Sequence, residues 1–162
     1  MARVLVGYGT KMGGTVGIAE RIGEVLATGG HDVTVVDAAR VKKVDEYDAA
    51  VVGSGLYAGR WRKPAKRLVR RIGKTAPGLP LWLFHSGPIG DDEAHDPQPF
   101  PKWLGELEPT LDVRGKVTFG GLLGENARGF LAKSMVRNGR GGDWRDMEAI
   151  GHWAEKISAD LP

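Results

Sequence analysis

Short runs of Val, Leu and Ala recur along the chain near residues 3–8, 32–37, 48–54, 79–85 and 116–123, with amphipathic stretches between most of them. A strand that is apolar on both faces has to be covered on both, and helices inserted between successive strands do this in a parallel sheet. The rhythm predicts an α/β fold, a three-layer αβα sandwich around a five-stranded parallel sheet. A chain of 162 residues with 41% hydrophobic composition closes one core and is too short for two, so a single domain over residues 1–162 is expected.

Helical periodicity places a first helix at about 14–27, with Val16, Ala19, Ile22, Gly23 and Leu26 on one face and the glycines after Thr28 as its stop. A second, about 63–74, carries Pro64 in its first turn and turns Leu68, Val69 and Ile72 inward. A last helix is predicted over 144–159, with Asp143 as N-cap and Met147, Ile150, Trp153, Ala154 and Ile157 as its buried stripe. Two segments break the rhythm. Residues 86–102, Pro-rich and acidic, read as a long loop. Residues 124–142 read as a short helix over 127–137 that frays into glycines, with Phe130, Leu131 and Met135 on one side.

The chain has no Cys, which removes disulfides, thiolate metal sites and cysteine nucleophiles, and its four His show no ligand spacing, so no metal is expected. Redox chemistry would have to borrow a cofactor. The apolar run at residues 4–6 is too short for a signal peptide, and no stretch approaches the roughly 18 apolar residues of a membrane span. The expectation is a soluble, cytoplasmic protein.

Between the first strand and first helix lies Gly9-Thr10-Lys11-Met12-Gly13-Gly14-Thr15. A Gly-rich turn at a helix N-terminus points free amides at a common centre where the helix dipole favours negative charge, which suits phosphate. The dinucleotide fingerprint needs Gly where Met12 stands, and the triphosphate loop needs Lys where Thr15 stands and a hydroxyl where Val16 stands. What is left is a cradle of hydroxyls and amides for one terminal phosphate, set against the plainer alternative of a Gly-containing turn.

Thr10 to Thr15 resembles the [ST]-x-T-G-x-T phosphate loop of flavodoxins, with Met12 in place of the usual Thr and with Lys11 offering a charge in compensation. The resemblance implies the flavodoxin-like sheet order 2-1-3-4-5 and FMN as cofactor, its phosphate held by Thr10, Lys11, Met12, Gly13, Gly14 and Thr15. In such a sheet ligands sit at the carboxyl ends of the strands, at the switch point between the first and third.

The loop after the third strand, "GSGLYAGRWRKP", supplies Ser54, Gly55, Leu56, Tyr57, Gly59 and Trp61, with Tyr57 and Trp61 as candidates for stacking on a flavin ring. For Trp61 the alternative is an anchor between helix and sheet. After the fourth strand, Ser86 and Gly87 can offer amides to the flavin's pyrimidine oxygens. His85 is a candidate for titration near the ring or, more plainly, a hydrogen-bonded strand-end residue.

From Arg60 to Lys74 there are eight basic residues and no acid, although net charge is only +3. Flavodoxins that act as electron carriers surround the flavin with acidic residues. Here Arg60, Arg62 and Lys63 stand beside the expected ring site, where they favour anionic reduced flavin and an anionic substrate. The segment "VVGSGLYAGRWRKPAKRLVRR" and the Trp-containing last helix resemble the menaquinone-dependent protoporphyrinogen oxidase type of flavodoxin domain. That likeness implies an oxidoreductase passing electrons from an anionic porphyrinogen to a quinone, with peripheral membrane contact. Two alternatives stay open: an electron carrier with no substrate of its own, docking to redox partner proteins, and a flavodoxin-fold protein binding a deazaflavin coenzyme. No nucleic acid is expected, because one aromatic, Trp61, interrupts the basic run and no nucleic-acid motif accompanies it.

Overall fold

The computed structural model describes residues 1–11, 13–57, 59–87, 99–120, 122–123, 142–143 and 145–162. Five parallel strands, β1 (Arg3–Gly9), β2 (Asp32–Asp37), β3 (Ala49–Gly55), β4 (Pro80–Ser86) and β5 (Asp112–Phe119), lie in the order β2-β1-β3-β4-β5. Two helices, α1 (Gly14–Thr28) and α4 (Met147–Asp160), cover one face, and α2 (Lys63–Thr75) and α3 (Lys102–Leu107) cover the other. The sandwich and the strand order are those expected from the sequence.

The cause is visible in the alternation of strand side chains. Val4, Val6, Ala49, Val51, Trp82 and Phe84 pack with Ile18, Ile22 and Leu26 of α1 and Ile150, Ala154 and Ile157 of α4. Their neighbours Leu5, Ala50, Val52, Leu81 and Leu83 pack with Leu68, Val69 and Ile72 of α2 and Leu104 of α3. Gly53 is required by this packing, since a Cβ there would run into the buried Phe84 ring. The register sets Gly9 opposite Ser54, Gly55 opposite Ser86, and Ser86 opposite Phe119, so the strands that flank the switch point finish in one row.

Several boundaries differ from the sequence expectation. β5 begins at Asp112 and ends at Phe119, and residues 122–123 pair antiparallel with 142–143 as a separate ladder of β6 (Leu122–Leu123) and β7 (Gly142–Asp143). Asp143 therefore belongs to a strand, and the cap of α4 is Asp146, whose carboxylate accepts from the Ala149 N–H at 3.0 Å. Met147 is exposed and Val16 half-buried; Ile18 takes the core position on α1. α3 lies where a loop was expected to end. Residues 88–98 of that loop, and the helix expected over 127–137, lie outside the described residues.

Candidate functional site

The turn from β1 into α1 starts the site. Gly13 adopts φ 88°, a left-handed conformation that side chains disfavour, and its N–H donates to Thr10 Oγ1 at 2.9 Å. No side chain among the described residues caps α1, and its first turn has no acid. The Val16 N–H donates to the Gly13 carbonyl at 3.3 Å, and no side-chain charge offsets the positive end of the helix dipole in that first turn. Among the described residues, its chain neighbours aside, no heavy atom lies within 4 Å of where a Gly13 Cβ would stand. Met12 lies outside the described residues.

Behind that turn three strand ends meet. The hydroxyls of Thr15 and Ser86, both buried, are 3.0 Å apart. A Cβ on Gly55 would stand 2.9 Å from Thr15 Oγ1 and 3.8 Å from Ser86 Oγ, so glycine is what lets the third strand end approach the other two. The Leu56 N–H donates to the Ser86 carbonyl at 2.8 Å, and the Gly87 N–H to the Phe119 carbonyl at 3.1 Å. The Gly87 amide, expected to face a ligand, is thereby already engaged within the sheet end.

Past Leu56 the chain makes a tight turn in which Tyr57 and Arg60 exchange backbone hydrogen bonds of 3.1 and 3.0 Å, with Gly59 at φ 75°. Tyr57 is half-buried, and the Lys11 ammonium sits over its ring, 3.5 Å from the centroid. Arg60 and Lys63 are exposed, while the Arg62 stem packs on the end of β1: its Cβ is 2.9 Å from where a Gly9 Cβ would be. Arg60, bridged to Tyr57, and Arg62, beside Gly9, thus form a basic rim near the ends of β1 and β3. Along α2, Arg71 is tied to the carbonyls of Val41 and Lys42, and Lys66 lies over the Trp103 ring at 5.3 Å.

Trp61, Ser54 and His85 do not join this group: Trp61 and His85 fit the second of the two readings given for each, an anchor and a hydrogen-bonded strand-end residue, and Ser54 is bonded to backbone. They lie on the α2 side of the sheet. Trp61 is only 6% exposed, with the Trp103 ring 5.6 Å away and nearly perpendicular and the Phe100 ring at 6.4 Å, so it is enclosed by protein, as an anchor requires. Its indole N–H donates to His85 Nδ1 at 3.2 Å. An indole N–H only donates, so Nδ1 carries a lone pair and the imidazole proton is assigned to Nε2, which donates to Thr118 Oγ1 at 2.9 Å. His85 is fully buried and stacks on Phe100 at 3.9 Å. Ser54 Oγ accepts from the Arg62 N–H at 2.8 Å and donates to the Gly55 carbonyl at 2.9 Å, fixing the start of α2.

One residue escaped sequence reasoning. Arg145, just before α4, donates to the Gly14 carbonyl at 3.3 Å, and its guanidinium occupies the space that a Gly17 side chain would fill. It braces the first turn of α1 from a distance of 131 residues, and only the bare surface at Gly17 hints at it.

The sequence profile of the flavodoxin domain matches residues 5–140, and the chain belongs to that family. Among solved structures it is similar to the flavodoxin of Streptococcus pneumoniae TIGR4, at 17% identity and TM-score 0.65, over 99% of this chain and 100% of that one. It is also similar to the Fusobacterium nucleatum flavodoxin bound to flavin mononucleotide, at 16% identity and TM-score 0.63, over 100% of both chains. The rubredoxin oxygen:oxidoreductase of Desulfovibrio gigas matches at 15% identity and TM-score 0.65, over 98% of this chain but 36% of that one. No described helix is long and apolar enough to cross a membrane.

Proposed function

We propose that this protein binds FMN with its phosphate at the turn before α1, over one domain of residues 1–162, and works as a flavin-dependent oxidoreductase. The observation that carries the proposal is the meeting of Thr15, Gly55 and Ser86 beneath the uncapped start of α1. The donor set suits a phosphate monoester: amides at the helix start, the Thr15 hydroxyl and a nearby ammonium, all of which bind an oxyanion. An ionised phosphate oxygen accepts, so with phosphate beside it the Thr15 hydroxyl would donate to the anion and Ser86 would donate to Thr15, a relay of two hydroxyls.

FMN, when bound, supplies reversible two-electron chemistry on its ring. The chain contributes the rest. Gly55 and Leu56 would offer backbone, and Tyr57 an aromatic face, to hold the ring. Arg60, Arg62 and Lys63 set a positive potential at the mouth, which lowers the energy of negative charge on the ring and draws anionic reactants. An anionic substrate with several carboxylates, of the porphyrinogen kind, fits that rim, with a quinone as electron acceptor. Peripheral contact with an anionic membrane is consistent with the same charge. A second reading, a carrier that passes electrons to a redox partner protein, is favoured by the naming of the structural neighbours as flavodoxins.

The visible spectrum of the purified protein, with mass analysis of the released ligand, tests the cofactor and separates FMN from a deazaflavin. Turnover of protoporphyrinogen with menaquinone separates the enzyme from the carrier. A colourless protein that takes up no flavin at micromolar concentration would end the proposal.

A further inference from the structure

Lys11 and Tyr57 belong to different loops, the one that offers amides to an anion and the one that offers a ring face. Both are half-buried, and the ammonium stands 3.5 Å from the ring centroid, directly over its face. A planar ligand anchored by a phosphate in the first loop and lying against Tyr57 needs that face. Lys11 stands two residues before Gly13, at the start of the same turn.

We propose that Lys11 is a ligand-dependent clasp that selects phosphorylated over unphosphorylated planar ligands. In the free protein its ammonium covers the face of Tyr57; on loading it leaves the ring for the phosphate. The inference rests on the FMN reading above and deepens it. A phosphorylated ligand replaces the lost cation–π contact with a charge-assisted hydrogen bond. An unphosphorylated ligand gives nothing in return and has to displace the cation. The selectivity thus arises from one side chain with two alternative partners.

The test is titration of ligand-free protein with FMN and with riboflavin, followed by flavin fluorescence, for the wild type, Lys11→Met, Lys11→Arg and the same Lys11→Met change in a Tyr57→Leu background. Met keeps the length of the stem and removes the charge. Lys11→Met is expected to weaken FMN roughly two- to fiftyfold, the loss of a charged hydrogen bond less the release of the cation from the ring. It should tighten riboflavin about two- to fivefold, the release of a cation from an aromatic face. Lys11→Arg should restore the preference for FMN. In the Tyr57→Leu background the riboflavin gain should vanish. Equal shifts for the two ligands, no shift for either, or a riboflavin gain that survives without Tyr57 would each overturn the clasp. Wild-type protein that binds FMN while Lys11→Met changes nothing refutes the clasp alone, whereas wild-type protein that binds neither flavin refutes the cofactor assignment with it.

Discussion

Replacing Thr15 by Val separates what its hydroxyl does for the fold from what it does for the ligand. The side chain is 2% exposed and its Oγ1 lies 3.0 Å from Ser86 Oγ, itself 6% exposed. Val fills nearly the same volume, so the change removes one hydrogen bond and leaves the Ser86 hydroxyl buried without it. An orphaned buried hydroxyl costs about 1–3 kcal/mol, which for a chain of this size lowers the melting temperature by about 2–12 °C. Adding Ser86→Ala removes the orphan and should return most of that stability, because both partners are then apolar. Ligand affinity should not return. FMN binding should fall by about 1–3 kcal/mol, roughly 5- to 150-fold, in Thr15→Val and equally in the double variant, since the phosphate has lost a hydroxyl donor in both. Thermal unfolding of the ligand-free proteins and flavin titration of the same samples give the two numbers independently. If Thr15→Val loses stability but binds FMN as tightly as the parent, the hydroxyl serves the fold alone and the relay from Ser86 through Thr15 to phosphate is wrong.

Gly53→Ala forces a methyl group into the buried Phe84 ring, which Phe119 and Trp153 hold from other sides, so it should cost about 1–3 kcal/mol or more by urea unfolding, with partial relief from a companion Phe84→Leu. His85→Leu takes the acceptor from the buried Trp61 indole N–H and should destabilise by a similar amount, about 1–3 kcal/mol, while FMN affinity stays within about twofold; a large loss of affinity would put the imidazole back beside the ligand. Reversing the rim with Arg60→Glu, Arg62→Glu and Lys63→Glu should slow reoxidation of the reduced protein by ferricyanide about tenfold at low ionic strength, with the difference fading toward 1 M salt as the Debye length shrinks to about 3 Å. A rate that ignores both charge reversal and salt would show that anions do not approach by this rim.

How much of this was legible in the sequence depended on whether a position carried an unambiguous polarity signal. The central strands β1 and β3 are apolar on both faces and were placed within a residue or so. The expected start of the edge strand β5, residue 116, falls four residues late, because Asp112 and Arg114 read as loop. Those charges are what an edge allows: Asp112 pairs with Arg114 at 3.0 Å and Lys116 with Glu108 at 2.6 Å along the solvent side. The cap of α4 slipped by three residues because Asp143 and Asp146 carry the same capping chemistry. What separates them is the pairing of residues 142–143 with 122–123, a tertiary fact.

The site shows the same limit in sharper form. Spacing points to the loops that hold Thr15, Gly55 and Ser86, whereas for Trp61 and His85 it leaves two readings open, beside a ligand or within the structure, and both residues lie on the α2 face. Adjacent residues on a strand point to opposite sides, so His85 and Ser86 had to part company. Which of them faces α1 was hidden, because β4 is apolar at both parities, Leu81 and Leu83 on one side and Trp82 and Phe84 on the other. Right-handed crossovers leaving β1 and β3 in opposite directions put α1 and α2 on different faces. Trp61 lies two residues before α2 and so is carried to the α2 face, taking His85 as its hydrogen-bond partner; Thr15, on the first turn of α1, is carried to the other and meets Ser86. The topology thus sorts a buried structural His from a buried hydroxyl relay, although the two side chains that divide those roles are neighbours in the sequence.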